Sequence, residues 1–231
     1  MDNAIALVTG ANKGIGKEIA RQLAAEGLTV YVGARDAGRG EQAAGEIGSG
    51  ARPLRLDVTD AAGIAAAKQV GALDILVNNA GISLDDKTPD QQDADEFRQV
   101  YETNVFGVVA VTNAFLPALR RSAHPRIVNI SSSTGSIAVA AARDAAGFGA
   151  YRSSKTALNM LTVLYAKALA ADGVKVNALA PGLRRTDLNS RTAESGGDPA
   201  EAAAGAVRLA LLPDSGPTGE FFSWDGTTVP W

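Results

Sequence analysis

Short apolar runs rich in Val, Ile and Leu recur along the chain, at Ile5–Val8, 29–32, 53–56, 75–77, Arg126–Ile130 and 175–179. Between them lie longer stretches, at 16–26, Ala37–Ile47, 60–70, 94–119 and 151–171, whose apolar residues fall near i, i+3, i+4 spacing. A strand that is apolar at nearly every position has both faces covered. Such strands alternating with helices predict a parallel sheet between two helical layers. Right-handed crossovers then make residues 1–231 a single α/β domain, a doubly wound, Rossmann-type sheet. Two stretches break the alternation. Residues 140–149 are small and glycine-containing, and 184–199 include Ser195-Gly196-Gly197-Asp198-Pro199, loop chemistry with few apolar anchors. In this architecture ligands lie beyond the carboxyl ends of the strands, where such loops can cover them.

Composition narrows the chemistry. The 231 residues contain no cysteine, which removes disulfides, thiolate nucleophiles and Cys-ligated zinc together. A net charge of −3 offers no basic surface for nucleic acid or acidic membranes. No apolar run approaches the roughly 20 residues of a bilayer span, and Met1-Asp2-Asn3 does not resemble a secretion signal. A cytoplasmic protein with no nucleic-acid or membrane partner is the expectation.

The first candidate site follows the first strand. Thr9-Gly10-Ala11-Asn12-Lys13-Gly14-Ile15-Gly16 joins it to the first helix. The glycines allow a tight turn and close approach of a pyrophosphate, and the helix end presents N–H groups and a positive dipole. The spacing is not the G-x-G-x-x-G fingerprint, and the bland alternative is an ordinary glycine-rich turn. Cofactor choice turns on the end of the second strand, Ala34-Arg35-Asp36. An acid there binds the ribose 2′-OH of NAD, and an arginine accommodates the 2′-phosphate of NADP. Arg35 and Lys13, converging on one place, favour NADP(H); their alternative is to be solvated surface charges. Asp57-Val58 ends the third strand, a place to meet adenine, and Asn78-Asn79-Ala80-Gly81 ends the fourth, where small residues let the backbone approach a cofactor.

Tyr151 and Lys155 are four apart on one helix face. A nearby ammonium stabilises a phenolate, so Lys155 is expected to lower the Tyr151 pKa toward the working range. Ile130-Ser131-Ser132-Ser133 follows the preceding strand, bringing hydroxyls to the same sheet edge, where one can donate to a carbonyl oxygen. Asn104, polar within an apolar helical stretch, is either a satisfied core amide or a link in a proton relay.

In this order the motifs resemble the short-chain dehydrogenase/reductase family along essentially the whole chain. The resemblance rests on the glycine loop, Asp57, Asn78–Gly81, Asn104, Ser132, Tyr151-x-x-x-Lys155 and Pro181-Gly182. It implies Tyr151 as proton donor and acceptor, and Lys155 as the group that lowers its pKa and binds the nicotinamide ribose. It further implies Ser132, chosen because Gly135 follows by three, as the carbonyl-orienting hydroxyl, Asn104 as holder of a relay water, and Thr186 as a contact to the nicotinamide carboxamide. Within the family the chain is most similar to the NADPH-dependent carbonyl reductases, through Asn12–Gly16, Ala34-Arg35-Asp36 with Arg39-Gly40, Arg185-Thr186-Asp187, Leu209–Pro213 and Trp231. The Ser132-to-Tyr151 interval exceeds the common family spacing yet is shorter than the insertion that hinders tetramers in larger relatives, so a monomer is expected over a homotetramer or dimer.

These readings converge on NADPH-dependent reduction of aldehydes or ketones. An NAD-dependent alcohol dehydrogenase and a non-catalytic NADP-sensing regulator are the alternatives; the latter has no need of Ser132, Tyr151 and Lys155. Phe148, Leu183 and Leu188, with either Phe221 or Trp224, are expected to line an apolar substrate pocket. His124, the sole histidine, is expected at the surface, Met160 and Tyr165 in packing, and no metal is expected.

Overall fold

In the computed structural model, which describes residues 4–48, 50–84, 86–188 and 196–231, strand β1 (Ile5–Val8) carries the logic of the whole sheet. Ala6 and Val8 turn into one apolar layer and Leu7 into the other, and all three are fully buried. The remaining strands are β2 (Thr29–Ala34), β3 (Ala51–Arg55), β4 (Ile75–Asn78), β5 (Arg126–Ile130), β6 (Lys175–Ala180) and β7 (Phe221–Ser223). They form one sheet in the order β3-β2-β1-β4-β5-β6-β7, and every neighbouring pair is parallel.

The first helices in the chain are α1 (Gly14–Ala25), α2 (Ala37–Ile47), α3 (Ala61–Ala67) and α4 (Ala94–Tyr101). They are followed by α5 (Gly107–Leu119), α6 (Ile137–Ala141), α7 (Gly149–Ala168) and α8 (Pro199–Ala210). One sheet face packs Val8, Val30, Ile75 and Val128 against Ile19 and Leu23 of α1, Ala43 of α2 and Ala206 of α8. The other packs Leu7, Leu76, Ile127 and Val176 against Ile64 of α3, Phe115 and Leu119 of α5 and Ala166 of α7. This is the predicted single α/β sheet with helices on both faces. Asp36, Asp60, Asp93 and Asp198 each accept a backbone N–H at the start of α2, α3, α4 and α8, so local chemistry sets those boundaries.

The structure departs from expectation in three ways. The stretch 94–119 is not one helix: a π-helical segment at Glu102–Phe106 separates α4 from α5 and carries Asn104. One added residue per turn redirects a side chain, and such segments concentrate at functional sites. Second, α6 occupies part of the stretch read as irregular. Third, α8 and β7 were not anticipated. The α8 sequence, PAEAAAGAVRLA, is so rich in alanine that its buried face has little contrast, and β7 is three residues long, defined by pairing with β6.

Chain order along the sheet reverses between β1 and β4, which are neighbours. Loops leaving their carboxyl ends part to opposite faces and open a crevice there.

Candidate active site

The glycine loop is clamped to the end of β4. Thr9 Oγ1 accepts the N–H groups of Asn79 and Ala80, each at 3.0 Å. Asn79 Nδ2 in turn donates to Thr9 O at 2.9 Å and Gly10 O at 3.1 Å. Asn79, expected to touch cofactor, therefore uses its amide to shape the loop. Gly10 and Gly14 sit at φ +61 and +54, conformations that side chains rarely adopt. A Cβ on Gly16 would stand 2.3 Å from Asn79 Nδ2, so only glycine fits. Ile15 turns its side chain onto the core. Lys13 is the N-cap of α1 without a capping side-chain bond, and the first turn holds no acid. The loop and helix end thus form a cradle that fits a dinucleotide pyrophosphate.

Beside it, a cleft of about 260 Å³ is lined by Asn12, Lys13, Lys17, Arg39, Gln42 and Asp187, among others. Lys13 pairs with Asp187 at 2.8 Å, which holds that carboxyl below the usual aspartate range, and Lys17 pairs with Glu46. Asp36, the rival acid for a ribose hydroxyl, accepts Arg39 N–H at 2.9 Å as the cap of α2. Arg35 is exposed at the end of β2. Arg39 and Lys17 are cations of this cleft that sequence reading did not name as ligands. The D-A-G-R cap was the available signal for Arg39. Farther along the edge, Asp57 Oδ1 accepts Thr59 N–H and O–H at 2.9 and 2.8 Å. Val58 is 7% exposed and packs where a Cβ on Gly107 would lie 2.8 Å away.

The proton-transfer groups come from β5 and α7. Lys155, 4% exposed, donates from Nζ to Ile130 O at 2.8 Å and stands 5.6 Å from the centroid of the Tyr151 ring. Burial alone pushes its pKa down to about 8. The Tyr151 phenol is pushed up to about 12 by burial, a rise that its hydrogen bond with Ser132 only partly offsets. The expected depression of Tyr151 is therefore absent from this arrangement: burial of the phenol dominates, and the Lys155 ammonium is bonded to a backbone carbonyl. Of the serine triplet, Ser131 is buried and bonded to Asn159 at 2.5 Å, whereas Ser132 lies 2.8 Å from Thr134 Oγ1 and reaches Tyr151. Gly81 closes the group; a Cβ there would lie 3.3 Å from Asn104 Oδ1 and 3.5 Å from Lys155 Nζ.

Asn104 is 0% exposed. Its Oδ1 accepts Ile82 N–H at 2.8 Å, and its Nδ2 donates to Ile82 O at 2.9 Å and Ser154 Oγ at 3.0 Å. The Asn104 side chain is thus bonded within the core. Ser154, which also donates to Tyr151 O at 2.6 Å, was missed by sequence reading and links Asn104 to the Tyr151 turn.

After β6 the chain turns through Pro181 and Gly182, and Thr186 returns to the glycine loop, its Cγ2 3.3 Å from where a Gly14 Cβ would be. Residues 189–195, within the loop expected at 184–199, lie outside the described residues. The expected pocket lining is revised. Phe221 is 1% exposed and stacks on Trp231 at 5.3 Å, so it belongs to the core, and Trp224 lies under the Arg184 guanidinium. Leu183 and Leu188 are 72% and 40% exposed. Phe148 is the one non-glycine residue at positive φ among those described, at the N-terminus of α7. Met160, expected to pack, is 60% exposed, while Tyr165 packs on the core and donates to Asn113. His124 is half-exposed and pairs with Asp214 away from the site. Among the described residues no helix is long and apolar enough to cross a membrane, and no cluster of three or more His, Cys, Asp or Glu could hold a metal.

A family model described as short chain dehydrogenase matches residues 4–196. The (-)-isopiperitenone reductase of Mentha piperita is 33% identical, the match covering 95% of this chain and 96% of that protein. Among solved structures, an NADPH-bound carbonyl reductase from chicken fatty liver superposes with a TM-score of 0.86 at 30% identity, covering all of both chains. A 3-ketoacyl-(acyl-carrier-protein) reductase from Brucella melitensis, complexed with NADH, gives 0.86 at 27% identity over 96% of each. The match along most of the chain and these relatives show that the chain belongs to the short-chain dehydrogenase family of oxidoreductases.

Proposed function

We propose that the protein reduces aldehydes or ketones with NADPH, and that Tyr151 gives the proton to the carbonyl oxygen. One observation carries the reading: the Tyr151 phenol is bonded to Ser132 while a buried Lys155 ammonium lies against the same ring. When bound, the nicotinamide supplies the hydride that goes to the carbonyl carbon. Ser132 donates to the carbonyl oxygen and fixes its position, and the Tyr151 O–H proton passes to that oxygen as negative charge develops. A phenol held near 12 is protonated at neutral pH, the form that reduction needs. The phenolate left behind faces Ser132 and Lys155, which stabilise it until it regains a proton. Because Lys155 titrates near 8, this support weakens as pH rises through that value. Asn104 holds Ile82, and with it the main chain beside Gly81, against the Lys155 ammonium.

Several features support NADPH. Asp36 Oδ1 is engaged in capping α2. Lys13 and Arg39 line the adjoining cleft, and the NADPH of the avian carbonyl reductase agrees with this. Arg35, Asn12, Asp57 and Val58 complete the adenosine end, and Gly81, Pro181, Gly182 and Thr186 the nicotinamide end. Exposed Leu183 and Leu188 favour apolar carbonyl compounds such as aromatic aldehydes, quinones and diketones. A cytoplasmic monomer completes the reading, and light scattering tests the monomer.

The decisive experiment follows nicotinamide absorbance with NADPH and with NADH over a panel of those carbonyl compounds. Tyr151→Phe is expected to abolish turnover and to keep NADPH binding. Turnover retained in that variant refutes the assignment.

A further inference from the structure

A buried cation lies just beyond β6, outside the proton-transfer groups. Arg184 is 6% exposed, and its guanidinium joins three segments of chain. Nε donates to Pro181 O at 2.7 Å, and Nη1 donates to Glu201 Oε2, in the first turn of α8, at 2.6 Å. The guanidinium carbon lies 4.3 Å from the centroid of the Trp224 ring, just beyond β7. Its Nη2 is buried and has no hydrogen-bond partner among the described residues. The main chain closes a clasp around it. Arg184 and Gly197 form an isolated parallel bridge, Gly197 N donates to Leu183 O and Arg185 N to Gly197 O, both at 3.0 Å. A Cβ on Gly197 would stand 2.2 Å from Nη1, so the returning chain lies flat on the guanidinium.

We infer that Arg184 is a positioning residue for the dinucleotide site, acting through Pro181-Gly182 and the segment 185–187; this rests on the function proposed above. A buried guanidinium with an orphaned N–H is a poor device for stability, because its desolvation is incompletely offset. It is a good device for geometry. The planar fork holds a carbonyl and a carboxylate at fixed angles while its face stacks on an indole, which a lysine ammonium cannot do. The clasp sets where the chain leaves β6, and two residues later Thr186 touches the glycine loop while Asp187 pairs with Lys13.

The test titrates NADPH by its fluorescence and measures steady-state kinetics for the wild type, Arg184→Met, Arg184→Lys, Thr186→Val and the Arg184→Met/Thr186→Val double variant. In Arg184→Met, Glu201 remains half-exposed and solvated, so thermal unfolding should change little. The NADPH dissociation constant and KM should rise by about tenfold or more, with the loss in KM rather than kcat, as small misplacements of binding groups cost. Arg184→Lys should not rescue, and the double variant should lose less than the product of the single losses, since both act through one segment. Unchanged NADPH affinity in folded Arg184→Met, full rescue by lysine, or multiplicative losses each overturn the inference. If Arg184→Met does not fold, Arg184→Lys, which keeps the charge, decides by the same readouts. A wild type that binds no NADPH instead overturns the proposed function, before any variant is compared.

Discussion

Replacing Lys155 with methionine removes a buried ammonium and should stabilise the protein while destroying its proton chemistry. The side chain is 4% exposed, and burial moves its pKa from 10.5 to about 8. At about 1.4 kcal/mol per pH unit, charged Lys155 is worse off in the folded state than in the unfolded chain by about 3 kcal/mol. Losing the bond to Ile130 O offsets about 1 kcal/mol of that gain. Near neutral pH Lys155→Met should therefore be more stable than the wild type by about 2 kcal/mol. The sign then changes with pH. Between about 8 and 10.5 the unfolded chain holds a proton that the folded protein has released, so wild-type stability rises with pH in that window. Tyr151 acts in the opposite direction, but only between 10 and about 12, where the folded state keeps a proton the unfolded chain has lost. The advantage of the variant should thus shrink from pH 8 to 10 and nearly vanish. Urea unfolding of both proteins at pH 7, 8, 9 and 10 reads this directly, and the difference between them cancels every other titration. Parallel stability profiles, or a variant less stable at pH 7, would refute the account of Lys155 as a desolvated cation.

Two further outcomes test the dinucleotide end. Gly16→Ala places a Cβ 2.3 Å from Asn79 Nδ2 and 2.6 Å from Gly10 O, so the loop clamp must shift. It should lose about 1–3 kcal/mol of stability together with NADPH binding, and an unchanged melting temperature with intact binding would be the contrary result. Arg39→Ala should raise KM for NADPH by about tenfold while leaving KM for NADH near its original value, as loss of a phosphate-pairing guanidinium does. Equal effects on both cofactors would remove Arg39 from the phosphate site.

What could be read early was set by short-range geometry. The apolar strands were legible because buried parallel strands need both faces apolar, and Ala6, Leu7 and Val8 go to two layers as that rule demands. Tyr151 and Lys155 fall on one face because helix geometry alone puts them there. The glycine loop was legible for the same reason: Gly10 and Gly14 at positive φ are conformations that residue type announces. The break at Glu102–Phe106 escaped because a π turn keeps the apolar pattern of α4 and α5 nearly continuous. Helix α8 escaped because alanines hide its buried face.

Sequence by itself determined the layers of the sheet, the order of its motifs and the identity of the groups that can carry a proton or cradle a phosphate. Each follows from interactions a few residues long. Tertiary structure decided how those groups behave. Tyr151 titrates high instead of low because burial, summed over elements far apart in the chain, exceeds what its hydrogen bond with Ser132 returns. Arg184 is a clasp and not a surface charge only because Pro181, Glu201 and Trp224 arrive from the end of β6, from α8 and from beyond β7. Desolvation and the meeting of distant side chains depend on the whole packed molecule, and no local spacing encodes them.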